Sequence, residues 1–320
     1  IRITSACDTD PGRLLHVQKA AGVNPASCFS CHRELLLSKR PHMVIIATWT
    51  DSHASIATEA IESGASIIIL EKPVSYSLKE ADKIIKAADR RGATVVVNHE
   101  RRFDSRYRKV KSLIEKGEIG RVVNVNARIH TGRYRGKSSL TEGGGPLLHD
   151  GTHLVDIIRF LFGDIARARG KFHRVDRTSG YEDTASAWLT TDTGIDVFLE
   201  AGGARNYFMF ELEIWGSDGK IVIGNGYNRL FKSVRSSLYT GFRDLREVEF
   251  PRFRPNNCFT ELYRNVSAMY RGRNTVNEST LTDGYRALEV IHGIYRSAHT
   301  GREEIRCTRQ WSQQNRRGGS

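Results

Sequence analysis

Three short, unbroken apolar runs constrain this chain more than any other feature: MVIIAT (43–48), SIIILE (66–71) and TVVVNH (94–99). A strand with one wet face alternates apolar and polar residues. A run that is apolar at every position must be covered on both faces, as inner strands of a parallel sheet are. The segments between the runs have helical character. SHASIATEAIESG closes at Gly64, and SLKEADKIIKAADRRG opens with Ser77 and Glu80 in capping-box spacing and stops at Gly92. Upstream, IRITSACD is β-like and PGRLLHVQKAAG is a helix ending at Gly22. Parallel neighbours cannot be joined by a tight turn and need crossover helices. Residues 1–100 are therefore expected to form an α/β unit, a doubly wound parallel sheet.

After Asp104 the rhythm changes. A helix runs to Gly117, then a strand, RVVNVNARI, and a glycine-rich loop at 143–146 lead into the helix THLVDIIRFLFG. Four strands follow with few helices between them: DTASAWLTT, GIDVFLEAGG, FMFELEIWG and KIVIG. WGSDGKI reads as a hairpin in which Asp218-Gly219 supplies positive φ. Helices near 258–271 and 282–299 close the chain. Residues 101–320 are thus expected to form an α+β domain on a mainly antiparallel sheet. Two domains suit 320 residues, a length beyond what one core ordinarily serves.

The formal net charge is +13, but its carriers are scattered: Arg90-Arg91, Arg101-Arg102, Arg133, Arg135, Arg252, Arg254 and Arg316-Arg317. No basic helix collects them, so the expected reading is solvated surface or an anionic cofactor or substrate, with no specific nucleic acid. No run approaches a membrane span and no signal-like segment is visible, so a cytoplasmic address is expected, with no membrane partner. Of the five cysteines, the pair in CFSCH (28–32) fits the c-type haem attachment spacing. It sits where a short strand gives way to a helix and reads as a chance match, with the thiols reduced.

In a doubly wound sheet, ligands bind outside the carboxyl ends of the strands. Asp8, then Thr48, Trp49 and Thr50, then Glu71 and Lys72, and finally Asn98 and His99 follow successive strands. Any one is ordinary loop chemistry, but their joint placement marks one crevice. In IIILEKP a lysine stands at the end of a rigid strand just before Pro73, mounted rather than loose. Further on, His149 and His153 are spaced to share a face of a helical turn. That pair would need more ligands to hold a metal, and none is evident, so no metal is expected.

These residues carry a resemblance. CDTDPGRL, VIIATWTDSHASIATEAIESG, EKPVSYSLKEADKII, NHERRFD, KGEIG and GGGPLLHDGTHLVDIIRFLFG occur in the order found in the Gfo/Idh/MocA family of NAD(P)-dependent sugar and polyol oxidoreductases, which this chain resembles almost throughout. The resemblance implies a Rossmann-type first domain and hydride transfer between NAD(P) and a secondary alcohol of a sugar, inositol or related polyol. Lys72 would stabilise charge on the reacting oxygen, with His153 as acid–base partner. The family usually has aspartate where this chain has His149, with Asp150 one step along; both, with Arg102 and His153, are candidate substrate contacts, and His149 is a candidate catalytic residue. Asp8, Thr48, Trp49, His53, Glu71, Lys72 and Asn98 are the candidate cofactor contacts. Asp8 favours NAD over NADP, although Arg13 lies near it; it also reads as a plain turn aspartate. Trp49 either lies along the cofactor or fills the helix–strand gap. Arg102 and Phe103 fall where structural and substrate roles overlap.

The family's first strand and Gly-x-Gly-x-x-Gly turn precede the point where Ile1 matches, so an amino-terminally shortened, poorly active or inactive polypeptide is expected. The resemblance also implies a homodimer or homotetramer formed through the outer face of the second domain's sheet. The competing expectation is a non-catalytic member of the fold that binds a nucleotide or sugar derivative.

Overall fold

The computed structural model describes residues 1–132, 145–174, 182–273 and 276–303. Part of the glycine-rich loop before Pro146, together with Arg133, Arg135, Cys307, Arg316 and Arg317, lies outside these residues. The described residues divide into two compact units, one built from Ile1–Asn98 with Tyr263–Thr282, the other from His99–Leu262 with 283–303.

In the first unit the order is β1 (Ala6–Cys7), α1 (Pro11–Ala21), β2 (Cys28–Phe29), α2 (His32–Lys39), β3 (Met43–Ile46), α3 (Thr50–Glu62), β4 (Ile67–Leu70), α4 (Leu78–Arg91) and β5 (Thr94–Val97). The apolar runs become β3, β4 and β5, a parallel ladder in that order; β1 and β2 form a second parallel ladder. Every residue of β4 is buried, as a run covered on both faces requires.

Helix boundaries follow local chemistry. Asp10 caps α1, its carboxylate accepting the N–H groups of Gly12 and Arg13 at 2.7 and 3.1 Å, and Gly22 ends it at φ 65°. Ser77 and Glu80 form the expected capping box of α4, which stops at Gly92. The outer edge of β5 is covered by a return segment. Ser279 accepts the Val97 N–H and donates its hydroxyl to the Val97 carbonyl at 2.7 Å, while Asn277 donates to the Val95 carbonyl at 3.0 Å. An exposed edge that would template association is thereby closed.

The second unit continues with α5 (Ser105–Glu115), β6 (Val122–Gly132), α6 (Pro146–His149), α7 (Gly151–Phe162), β7 (Ile165–His173), β8 (Thr184–Thr191), β9 (Asp196–Arg205), β10 (Met209–Gly216), β11 (Gly219–Gly224), β12 (Tyr227–Arg235) and β13 (Arg243–Val248). Helices α8 (Cys258–Tyr270) and α9 (Leu281–Thr300) close the chain. The strands form an eight-stranded sheet in the order β13-β12-β11-β10-β6-β9-β8-β7, in which only the β6–β9 pair is parallel.

Register separates the sheet's two faces. Ile214, Val125, Val197 and Leu189 lie in one row and are fully buried, in the sheet that α6 and α7 cover. One residue along, the row Trp188, Phe198, Asn126 and Glu213 points the other way. There Trp188 and Phe198 remain 52% and 42% exposed.

The WGSDGKI hairpin forms between β10 and β11, but neither Asp218 nor Gly219 has positive φ. The glycines serve close approach instead. A Cβ on Gly216 would lie 2.0 Å from the Ile119 carbonyl oxygen, and one on Gly219 would lie 2.4 Å from that of Phe231.

Candidate active site

Ile46, Leu70 and Val97 occupy one row across β3, β4 and β5. The next residues leave the sheet at one level, tied by Glu71 N–H to the Ile46 carbonyl at 3.0 Å and Asn98 N–H to the Leu70 carbonyl at 2.7 Å. Three of the four expected strand ends are therefore side by side: Thr48-Trp49, Glu71-Lys72 and Asn98. Asn98 donates its amide to the Glu71 carboxylate, and the Lys72–Pro73 peptide is cis. His53, buried under this edge, sets its ring nitrogens 2.9 Å from the Pro73 carbonyl and 3.1 Å from the Thr48 carbonyl. Burial pulls its pKa below the ordinary value, against the opposing pull of the two carbonyl acceptors, and the ring packs between two of the three turns.

Trp49 stands at the cap position just before α3 and is 60% exposed, so it does not fill the helix–strand gap, and its indole face is open beside the strand ends. The fourth strand end differs. Asp8 follows β1 in the separate two-stranded ladder, where its carboxylate accepts the Asp10 N–H at 2.9 Å in a turn. Arg13 is directed to Asp10, 3.9 Å away.

The residues here suit a nicotinamide dinucleotide on one direct ground. Asn98 is buried and its side-chain oxygen has no hydrogen-bond partner, although its amide nitrogen is engaged. A buried acceptor left open at a strand end calls for a donor, and a carboxamide or hydroxyl is one. The half-buried Lys72 and the open Trp49 ring supply charge and a stacking surface on the same edge.

In the second unit a short 3-10 turn, Glu100–Phe103, follows His99. Arg102 is 5% exposed and grips Asp156 through Nε at 2.9 and 3.0 Å and through a terminal nitrogen at 2.7 Å. Its other terminal nitrogen reaches Asp283 at 3.0 Å, and Asp283 also lies 3.5 Å from Arg159. Burial alone would lower the Arg102 pKa, but the two carboxylates overcome it and hold the guanidinium charged. Arg102, expected as a substrate contact, is thus committed to two aspartates as a structural pin. His99 lies beside them, 3.7 Å from Asp156, with neither ring nitrogen hydrogen-bonded, and burial pushes its pKa down to about 4.

His149 and His153 do not share one continuous turn. His149 ends α6, Asp150 is the joint, and His153 belongs to α7, its N–H bonding to the Asp150 carbonyl at 3.1 Å. His153 Nδ1 lies 3.6 Å from a Glu100 oxygen, a carboxylate–imidazole pair that can orient the ring. Sequence reasoning missed Glu100, Asp156 and Asp283. Asp156 did carry a signal: a lone carboxylate amid the apolar residues of HLVDIIRF needs a buried cation. Among the described residues no cluster of histidine, cysteine and carboxylates is arranged to hold a metal, and Cys7, Cys28, Cys31 and Cys258 are free thiols.

A model of the oxidoreductase family with an NAD-binding Rossmann fold matches residues 1–99, and a GFO/IDH/MocA C-terminal domain model matches residues 107–222. D-apiose dehydrogenase of Paraburkholderia graminis is 28% identical over 233 residues, 70% of this chain and 61% of the relative. Inositol 2-dehydrogenase 2 of Saccharopolyspora erythraea is 26% identical over 317 residues, 94% of this chain and 86% of the relative. The chain spans 55 to 61% of the length of several curated relatives, the Paraburkholderia enzyme among them. In fold, the WlbA dehydrogenase of Bordetella pertussis, solved with NADH and UDP-GlcNAcA, superposes with a TM-score of 0.77 at 22% identity, covering 97% of this chain and 91% of that one. An Agrobacterium radiobacter oxidoreductase, solved with NAD+, L-tartaric acid and magnesium, gives 0.75 at 21% identity over 94% and 90% of the two chains.

Proposed function

The chain belongs to the Gfo/Idh/MocA family, and on that premise we propose that it is an NAD(P)-dependent oxidoreductase acting on a secondary alcohol, or the matching carbonyl, of a sugar, inositol or related polyol. The observation that carries the reading is the row of strand ends in the unit matching the NAD-binding model. There Thr48, Glu71-Lys72 and Asn98 leave three parallel strands one or two residues past a common register.

A bound nicotinamide supplies or takes up the hydride. The protein's own groups manage the oxygen. In this reading Lys72 donates to the substrate oxygen and stabilises the negative charge that develops there, an effect worth about 10²–10³ in rate for a single donor. Glu71, fixed by the Asn98 amide, and His53, bonded to the Pro73 carbonyl, hold the turn that carries the lysine. His153, paired with Glu100, receives or returns the proton, and His149 and Asp150 contact neighbouring hydroxyls. Asp8 contacts the ribose, with NAD favoured over NADP. The exposed pair Trp188 and Phe198, ring centres 5.5 Å apart on the open face of the eight-stranded sheet, supports self-association through that face.

The test is turnover. The protein is incubated with NAD+ or NADP+ and a panel containing myo-inositol, scyllo-inositol, D-apiose and common aldoses, and the absorbance of reduced nicotinamide is followed. Steady reduction with at least one polyol or sugar is expected. Cofactor binding with no reduction across the panel would favour a non-catalytic binder.

A further inference from the structure

The short helix that ends on His149 begins on a buried carboxylate. Glu182 is 2% exposed. One of its oxygens accepts the Leu147 N–H at 3.0 Å and the Tyr295 hydroxyl at 2.9 Å; the other accepts the Gly145 N–H at 3.3 Å. The Gly145 N–H is shared with the Tyr295 oxygen, also at 3.3 Å. Gly145 must be glycine here, because a Cβ would lie 2.5 Å from the Glu182 carbonyl oxygen and 2.7 Å from its carboxyl carbon. The Gly145 carbonyl in turn accepts the N–H groups of Leu148 at 3.1 Å and His149 at 3.3 Å. One residue, Gly145, therefore links the carboxylate to the histidine backbone.

The opening N–H groups of any helix lack internal partners, and a serine or asparagine ordinarily satisfies them at little cost. This helix has only four residues and uses a buried carboxylate instead, although burial raises the Glu182 pKa and penalises its ionised form. A neutral cap would satisfy one donor. The carboxylate gathers three, from α6 and from Tyr295 on α9, and so fixes α6 in direction as well as in place. We propose that Glu182, braced by Tyr295, is a positioning residue that sets the orientation of His149 and the Asp150 joint toward substrate. Its functional consequence rests on the reading of His149 as a substrate contact.

Glu182→Gln tests this. Glutamine keeps the shape but turns an amide NH2 toward one of the three donors. Three quantities are compared with wild type: the melting temperature, amide hydrogen exchange across 145–151, and the imidazole carbon-bound proton resonance of His149, assigned with His149→Asn. Since a hydrogen bond to a charged group contributes about 1.5–3 kcal/mol, exchange should rise about ten- to hundredfold in that peptide. The His149 resonance should move while that of the exposed His16 stays, with the melt little changed. Tyr295→Phe, which deletes one donor to the carboxylate, should give a smaller rise at the same peptide, and carries the test if the glutamine variant does not fold. Unchanged exchange and resonance would overturn the proposal, as would loosening spread evenly over the unit with a lower melt.

With NAD+ and myo-inositol, kcat should fall in Glu182→Gln with cofactor affinity unchanged. If the exchange and resonance changes appear but His149→Asn turns over at the wild-type rate, the substrate-contact reading fails while the positioning of the turn stands.

Discussion

Removing the Asp156 carboxylate should be the most damaging single change in the second unit. Asp156 and Arg102 are 2% and 7% exposed at their side chains, and Arg102 makes three contacts of 2.7–3.0 Å to that one carboxylate. Asp156→Ala strips the buried guanidinium of its closest carboxylate and leaves it sharing Asp283 with Arg159. Breaking a buried ion pair from one side costs about 3–5 kcal/mol, because the remaining charge stays desolvated. At about 2–4 °C per kcal/mol for a unit of this size, the melt should drop by about 6–20 °C. Thermal unfolding followed by circular dichroism measures it. The companion variant Arg102→Met/Asp156→Leu removes both charges and should recover at least half the loss, since apolar replacement of a buried pair is often neutral. A drop of less than about 2 °C for Asp156→Ala, within the reach of an ordinary surface substitution, would refute the assignment of Arg102 as a pin.

Other perturbations separate chemistry from scaffolding. Lys72→Met should lower kcat by about 10²–10³ with NADH affinity within about twofold, measured by steady-state kinetics and fluorescence titration; equal rates would remove the lysine from the reaction. Glu59 has its pKa held down to about 2 by hydrogen bonds from Arg33 and His32. Because the folded pKa is depressed from 4.5, the stability it contributes is present above that value and lost as pH falls through about 2. Acid titration of Glu59→Gln should therefore be flatter than wild type over that window; identical slopes would contradict the pairing. Trp188→Lys combined with Phe198→Lys should shift the sedimenting mass toward monomer while leaving the melt of the unit in place. An unchanged mass would exclude that face as the contact.

Much of this architecture was legible in the chain because it rests on local or periodic signals. Runs apolar at every position mark β3, β4 and β5, Ser77 and Glu80 mark the start of α4, and Gly22 and Gly92 mark helix ends. Strand ends follow from strands, so the row Thr48, Lys72 and Asn98 is legible in the chain itself. Long-range pairings could not. Glu182 and Tyr295 are far apart in sequence, as are Arg102, Asp156 and Asp283, and no spacing rule links such partners. The hairpin at Asp218-Gly219 misled for a different reason: glycine there looks like a conformational requirement, while the structure needs it for lack of a side chain against Phe231. The break at Asp150 was invisible for the same reason as the pairings, since α6 is held by a carboxylate that follows it in the chain.

The most direct measurement of the central claim is isotopic. NADH carrying deuterium at the transferring position of its nicotinamide ring is mixed with the protein and the keto form of inositol or of a sugar, and the product is examined by mass spectrometry. A hydride transferase of this kind predicts one deuterium on the newly formed carbinol carbon, accumulating about 10²–10³ more slowly in Lys72→Met. Bound cofactor with no label in any product, across inositol and sugar substrates alike, would contradict it.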